Sequence, residues 1–243
     1  MNQHERYLFD VQGYVVVPHA IAPHHVQVLN ELLNQHIALC NGGDRPWLRF
    51  NHLLSWGEPF HALINHPWAM PYLEALLGPG FRLDHEYAHI IQQPGSGPIG
   101  SHLHGGGTPY DPCQYYHVQN GRMYNGLVAI AYHLTDVKPG EGGFGCIPGS
   151  HKSQFPLPSD WRTLEHPPEC VREISGPAGT AIIFTEALTH GTLPWRGTGD
   201  RRTLFYKYSP RPSAWSRHYY TAEQFPSLTE EQRRLLKTPG IYP

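Results

Sequence analysis

The sequence predicts a mainly β domain with flanking helices, built on a jelly-roll or barrel-like core. Three observations predict it. Glycine (25) and proline (24) make up roughly a fifth of the 243 residues, which suits many turns between short strands. From about residue 81 onward, apolar stretches of strand length alternate with Gly/Pro punctuation. No helical pattern separates those stretches, which argues against a parallel βαβ sheet.

Taken in order, Gly13-Tyr14-Val15-Val16-Val17-Pro18 reads as a strand ended by proline. Pro23 sits at a first helical position, and Val26, Leu29, Leu33 and Ile37 follow at helical spacing. A second helix runs from about Pro67 through Leu73, Leu76 and Leu77 to Gly78. Strands are expected at roughly 81–92, 126–134, 144–147, 170–174, 180–185 and 201–208. Thr229-Glu230-Glu231-Gln232 matches a capping box opening a last helix before Pro239. No linker or repeat interrupts the pattern, so one domain over 1–243 is expected.

Composition excludes several classes. A formal net charge of -2 gives no electrostatic case for nucleic acid or an anionic membrane surface. Apolar runs such as Val15 to Val17 and Ala181 to Ile183 are far below spanning length, and the N-terminus lacks a signal-peptide pattern. A cytoplasmic protein is expected. Cys40, Cys113, Cys146 and Cys170 form no Cys-x-x-Cys pair, so reduced thiols are expected rather than a thiolate zinc site.

Chemistry concentrates in two stretches. In Gly100-Ser101-His102-Leu103-His104-Gly105-Gly106-Gly107, an extended backbone places His102 and His104 on one face, where they can share a metal ion. The residues alone leave open a solvated strand end running into a glycine-rich loop. The second stretch is a buried strand, Thr180 to Phe184, leading to Glu186-Ala187-Leu188-Thr189-His190-Gly191-Thr192. A strand beginning Arg201-Arg202 follows, and a guanidinium facing a pocket is a natural carboxylate partner.

These features together resemble the phytanoyl-CoA dioxygenase family of 2-oxoglutarate oxygenases over roughly residues 7 to 212. The resemblance rests on the N-terminal Gly-Tyr-Val-Val-Val-Pro, the Gln-Gln-Pro-Gly turn before the histidines and the strand ending Leu134-Thr135-Asp136-Val137. Its most specific parts are the Pro148-Gly149-Ser150-His151 turn and the spacing of 11 from His190 to Arg201. It implies a double-stranded β-helix that holds iron(II) by two histidines and a carboxylate, with 2-oxoglutarate as co-substrate. By position, His190 is similar to the distal histidine ligand. Arg201 and Thr192 are similar to the residues that bind the far carboxylate of 2-oxoglutarate. His151 is expected to be structural.

The sequence departs from the family at the carboxylate, because its His-x-Asp motif is absent. If His102 takes the histidine position, His104 replaces the aspartate and the shell has three histidines. If His104 takes it, Gly106 falls on the aspartate position and leaves an opening, as in related iron halogenases. A carboxylate from elsewhere is the third arrangement, with Glu186 and Asp111 as candidates and Glu141 a weaker one.

The segment from Gly105 to Gly126 is expected as a lid carrying Tyr110, Tyr115, Tyr116, His117 and Tyr124. Those rings either face a small-molecule substrate or pack the loop onto the barrel. No basic patch resembling a coenzyme A phosphate site is evident. The expected activity is oxidation of a small organic molecule, with release of succinate and CO2. A halogenase, a zinc hydrolase or isomerase on a cupin-like barrel, and a metal-binding cupin-like protein without oxygenase activity are the competing readings.

Overall fold

The computed structural model describes residues 1–95, 102–164, 167–218 and 220–240, so Gly100 and Ser101, at the head of the His-x-His stretch, lie outside the described residues. The chain opens with α1 (Gln3–Gln12), which the sequence reading did not anticipate. Its signals were local: Asn2 and Glu5 form a capping box, and Gly13 closes the helix at φ 85°. Next come β1 (Tyr14–Val17) and α2 (Pro23–Leu39), whose buried residues are Val26, Leu29, Leu33 and Ile37, the stripe read from the sequence. Strand β2 (Trp47–Asn51) precedes α3 (Glu58–His61) and α4 (Met70–Leu77).

The strand-rich part follows: β3 (Arg82–Ile91), β4 (Tyr116–Gln119), β5 (Arg122–Asn125), β6 (Val128–His133), β7 (Gly143–Cys146), β8 (Arg172–Glu173), β9 (Ala181–Thr185), β10 (His190–Leu193) and β11 (Arg201–Ser209). Helix α5 (Glu230–Leu235) closes the described chain behind the expected capping box at Thr229. No helix among the described residues is long and apolar enough to cross a membrane.

Two antiparallel sheets form the core. The major sheet has the order β1-β9-β6-β11-β3-β2, and the minor sheet β10-β7-β8. Alternation along each strand divides the major sheet into two faces. On one, Val128, Ile130, Ile183, Leu204, Tyr206 and Tyr208 pack with the helices. On the other, Ala129, Ala131, Ile182, Phe184 and Phe205 meet Phe144 and Cys146 of the minor sheet. Such a two-sheet jelly roll buries apolar surface on both sides of one sheet and leaves an interior between the two. That interior holds the site.

The expected lid contains the β4–β5 hairpin. Its turn is Asn120-Gly121, with φ of 52° and 71°, the left-handed pair that a two-residue hairpin loop requires. Its tyrosines pack rather than line the interior. Tyr116 donates to Asp10 Oδ1 at 2.6 Å, Tyr124 stacks on His117, and Tyr110 is exposed.

Candidate metal centre

His104 and His190 face each other across an isolated antiparallel bridge, exchanging N–H···O bonds of 2.9 Å in both directions. Directly opposed residues project to the same side, and the two imidazole centroids lie 4.2 Å apart. The close approach depends on Gly105. At φ +82°, a Cβ there would stand 2.5 Å from the Leu188 carbonyl oxygen and 2.8 Å from that of Glu186. The turn from β9 into β10, where Leu188 N–H donates to Thr185 O, brings Glu186 back toward His190.

The result is a trio. One ligand atom each from His104, Glu186 and His190 lies within 4.8 Å of the other two, the one such cluster among the described residues. Glu186 Oε2 is 3.9 Å from His190 Nε2. Both rings are oriented by backbone. His190 Nδ1 lies 2.7 Å from Leu188 O and His104 Nδ1 3.2 Å from His102 O. A carbonyl only accepts, so each Nδ1 carries its proton and each Nε2 presents a lone pair.

The electrostatics agree with that reading. Burial, then His104, pushes His190 down to about 3, so the ring is neutral. His104 also titrates below the usual histidine range, chiefly through burial. His104 is exposed and lines the cavity. For Glu186, burial alone would raise the carboxyl, yet Lys207 and His190 together hold it at about 2. Lys207 Nζ forms an ion pair with Glu186 Oε1 at 2.8 Å, inside the protein.

Arg201 lies at the far end of the interior. It is fully buried, and Nε, Nη1 and Nη2 all lack a hydrogen-bond partner. Burial lowers it to about 10, so the group stays a cation at neutral pH. Buried polar atoms are nearly always paired, so three orphaned donors on one charge mark a place for an acceptor. Gly143 of the minor sheet makes room for it: at φ +91°, a Cβ would sit 2.8 Å from Arg201 Nε.

Of the other sequence candidates, Thr192 lines the cavity, opposite Phe144 on β7. His102 also reaches the cavity, but it is exposed, bridges to Thr163, and its ring lies 6.0 Å from that of His104, outside the trio. The cluster at ligand spacing among the described residues is thus two histidines and a glutamate, with His102 outside it. Asp111 is exposed, its Oδ1 accepts from Cys113 N–H (2.7 Å) and Gln114 N–H (3.2 Å) in a local turn, and it is not part of the trio. Glu141 caps the Lys138 N–H at 2.8 Å. His151 is buried against Tyr116, its Nε2 3.1 Å from Asp10 O.

Sequence reasoning missed Lys207, Thr203, His89 and His133. Alternation from Arg201 puts 203, 205 and 207 on the same face, a signal that was available for β11. The other two depend on cross-strand register.

The cavity above the trio has a volume of about 360 Å³ and opens beside a second of about 520 Å³, with Arg49, His85 and Trp215 shared between them. Rings step inward along one wall. Trp215 stacks on His85 (5.1 Å), His85 on Tyr87 (5.9 Å) and Tyr87 on Phe205 (4.8 Å). Asp84 anchors the outer end. It is the residue skipped where the β3–β11 register shifts, and it accepts from the Trp215 and Ser216 amides at 2.9 and 3.0 Å.

Among solved structures, HygX from Streptomyces hygroscopicus, with nickel and 2-oxoglutarate bound, matches with a TM-score of 0.80 at 21% identity, covering 94% of this chain and 95% of that one. HygX with nickel, 2-oxoglutarate and hygromycin B bound gives 0.76 at 20% identity, covering 94% and 96%. The epimerase SnoN, in complex with Fe3+, alpha ketoglutarate and nogalamycin RO, gives 0.62 at 16% identity, covering 86% and 84%. These likenesses establish a shared fold, the double-stranded β-helix. No curated protein matches the chain. The family described as phytanoyl-CoA dioxygenase (PhyH) matches residues 9–203, most of the sequence. The chain therefore belongs to the phytanoyl-CoA dioxygenase family, and is an enzyme of the iron(II)- and 2-oxoglutarate-dependent oxygenase type.

Proposed function

We propose that His104, Glu186 and His190 hold the iron(II), that Arg201 and Thr192 seat the far carboxylate of 2-oxoglutarate, and that the enzyme hydroxylates a small organic molecule. The observation that carries this reading is the pairing of a two-imidazole, one-carboxylate trio with an unpartnered buried guanidinium in the same interior. Two nitrogens and one oxygen on one face match the donor set of non-haem iron oxygenases. Metal–ligand bonds of about 2.0–2.2 Å require modest side-chain movement from the separations observed.

Bound iron(II) and 2-oxoglutarate supply oxidising power from O2: one oxygen atom goes to the substrate C–H, the other to succinate, and CO2 leaves. The chain's own residues do the rest. Leu188 O and His102 O fix both imidazoles with Nε2 inward. Lys207 keeps Glu186 ionised and holds Oε1, leaving Oε2 toward His190. Arg201 offers fixed donors to one end of a dicarboxylate, which orients its other end. The ring-lined wall from Trp215 to Phe205 sheds water from the approach.

Substrate entry through the mouth beside Arg49, His85 and Trp215 fits a small molecule, in line with the hygromycin B and nogalamycin RO bound to HygX and SnoN. Halogenation requires an open position where the family has its aspartate. The carboxylate of Glu186 in the trio supports oxygenation over that alternative.

The test is an anaerobic titration of metal-free protein with iron(II) and 2-oxoglutarate, followed by oxygen and a succinate assay. A visible charge-transfer band and succinate that is insensitive to chloride are expected. Zinc binding with neither band nor succinate would overturn the reading, and chloride-dependent product would favour halogenation.

A further inference from the structure

Thr203 is the middle member of a row that crosses three strands of the major sheet. It is paired with His89 of β3 on one side and with His133 of β6 on the other. Directly opposed residues share a face, and Arg201, two residues from Thr203 on the same strand, shares it too. Thr203 and His133 are fully buried. Thr203 Oγ1 and both ring nitrogens of His89 and of His133 lack hydrogen-bond partners, as does all of the Arg201 guanidinium.

One orphaned polar atom in a core is an irregularity. Four neighbouring side chains in that state, on one patch and around a cation, describe an absent acceptor. The Gly176 backbone works to raise His133 but is outweighed by burial and Arg201, and neither ring nitrogen meets a hydrogen-bond partner. His89 reaches the metal cavity itself, its ring 4.9 Å from that of Tyr87 and 5.6 Å from that of Phe205. The row does not form a second metal site, since the trio is the one cluster of ligand spacing among the described residues.

Charge narrows the ligand. Burial holds both histidines neutral, at about 3, with Arg49 and then Arg201 adding to it at His89 and Arg201 at His133. Arg49, opposite His89 on β2, lies over the Tyr87 ring and donates Nε to Asn51 Oδ1, so the unpartnered positive charge of the patch is that of Arg201, accompanied by neutral donors. That combination suits a single carboxylate, which has more lone pairs than one guanidinium can occupy.

We propose that His89, Thr203 and His133 bind the far carboxylate of the 2-oxo acid together with Arg201, and so set the preference for a dicarboxylate. The inference rests on the proposed function, and its test separates the two. Nickel(II)-loaded full-length protein is titrated calorimetrically with 2-oxoglutarate and with pyruvate, which shares the 2-oxo acid head but has no far carboxylate. Nickel affinity and thermal melting are measured alongside. His89→Phe and His133→Phe keep ring shape and remove the donors. His89→Gln and His133→Gln keep a donor and serve if the phenylalanine variants fold poorly.

Each phenylalanine variant is expected to weaken 2-oxoglutarate binding about tenfold, the scale of one hydrogen bond to a charged group. Pyruvate and nickel affinities are expected to stay unchanged, and the glutamine variants to recover most of the loss. Unaltered 2-oxoglutarate affinity in folded phenylalanine variants would overturn the proposal. So would equal losses for 2-oxoglutarate and pyruvate, which indicate a structural role. Failure of the unaltered protein to bind 2-oxoglutarate at all would instead sink the underlying function.

Discussion

Lys207 Nζ stands 2.8 Å from Glu186 Oε1, and the ion pair is buried at the bottom of the cavity, with side-chain exposures of 9% and 3%. Removing one partner strands the other charge, whereas removing both does not. Glu186→Gln is expected to destabilise the metal-free protein by about 3–5 kcal/mol, and the double change with Lys207→Met to recover most of that. Neither variant should retain iron(II). Urea denaturation and metal titration of the three proteins check both halves; retained metal affinity in Glu186→Gln would remove the carboxylate from the shell.

Arg201→Met should separate stability from ligand binding in the opposite direction. An unpartnered buried cation costs the fold several kcal/mol, which an apolar side chain of similar length avoids. The metal-free variant is expected to melt at or above the temperature of the unaltered protein while losing measurable 2-oxoglutarate binding. A lower melting temperature with affinity intact contradicts the assignment.

Gly143→Ala tests the same cation from across the interior. The new methyl would meet Arg201 Nε at 2.8 Å, from a backbone at φ +91°. A loss of about 1–2 kcal/mol is expected from the backbone alone, with a further drop in 2-oxoglutarate affinity as the guanidinium is displaced. Calorimetry on the folded variant reads the second effect separately from the first.

Acid should loosen the mouth before the core. Burial works to raise Asp84, but hydrogen bonds from His85, the Trp215 amide and Ser209 outweigh it and bring the carboxyl from 3.8 to about 2. Folded protein thus holds fewer protons at this group than unfolded protein, and the stability it supplies is complete above about pH 4. It is lost as the pH falls from about 4 toward 2. Asp84→Asn is expected to flatten stability against pH across that window and to increase Trp215 fluorescence quenching by iodide. A steep acid limb persisting in the variant would assign the loss to other carboxylates.

Most of the fold was legible because its signals were local. The stripe of α2, the capping box at Thr229 and the apolar runs of β3, β6, β9 and β11 were all read correctly from neighbours in sequence. Strand β10 escaped because His190-Gly191-Thr192-Leu193 has no apolar alternation; its extension comes from pairing with β7 and with His104. The same reason governs the site. Sequence placed His104, Glu186 and His190 among the candidates, but that Glu186 rather than His102 or Asp111 comes within ligand spacing of the other two depends on the long-range bridge between His104 and His190 and on the turn after Thr185. His89 and His133 carry no motif at all, and only strand register sets them beside Thr203.

Arg201 belongs to the major sheet, yet its guanidinium lies against Gly143 of the minor one. A dicarboxylate held there is gripped at the seam between two layers that otherwise meet mainly through apolar side chains. Occupancy would act as a rivet. Amide exchange in β7 and β10 should slow along with that in β11 when the co-substrate is bound, so the enzyme is at its most rigid when it is ready to react with oxygen and loosens once succinate departs.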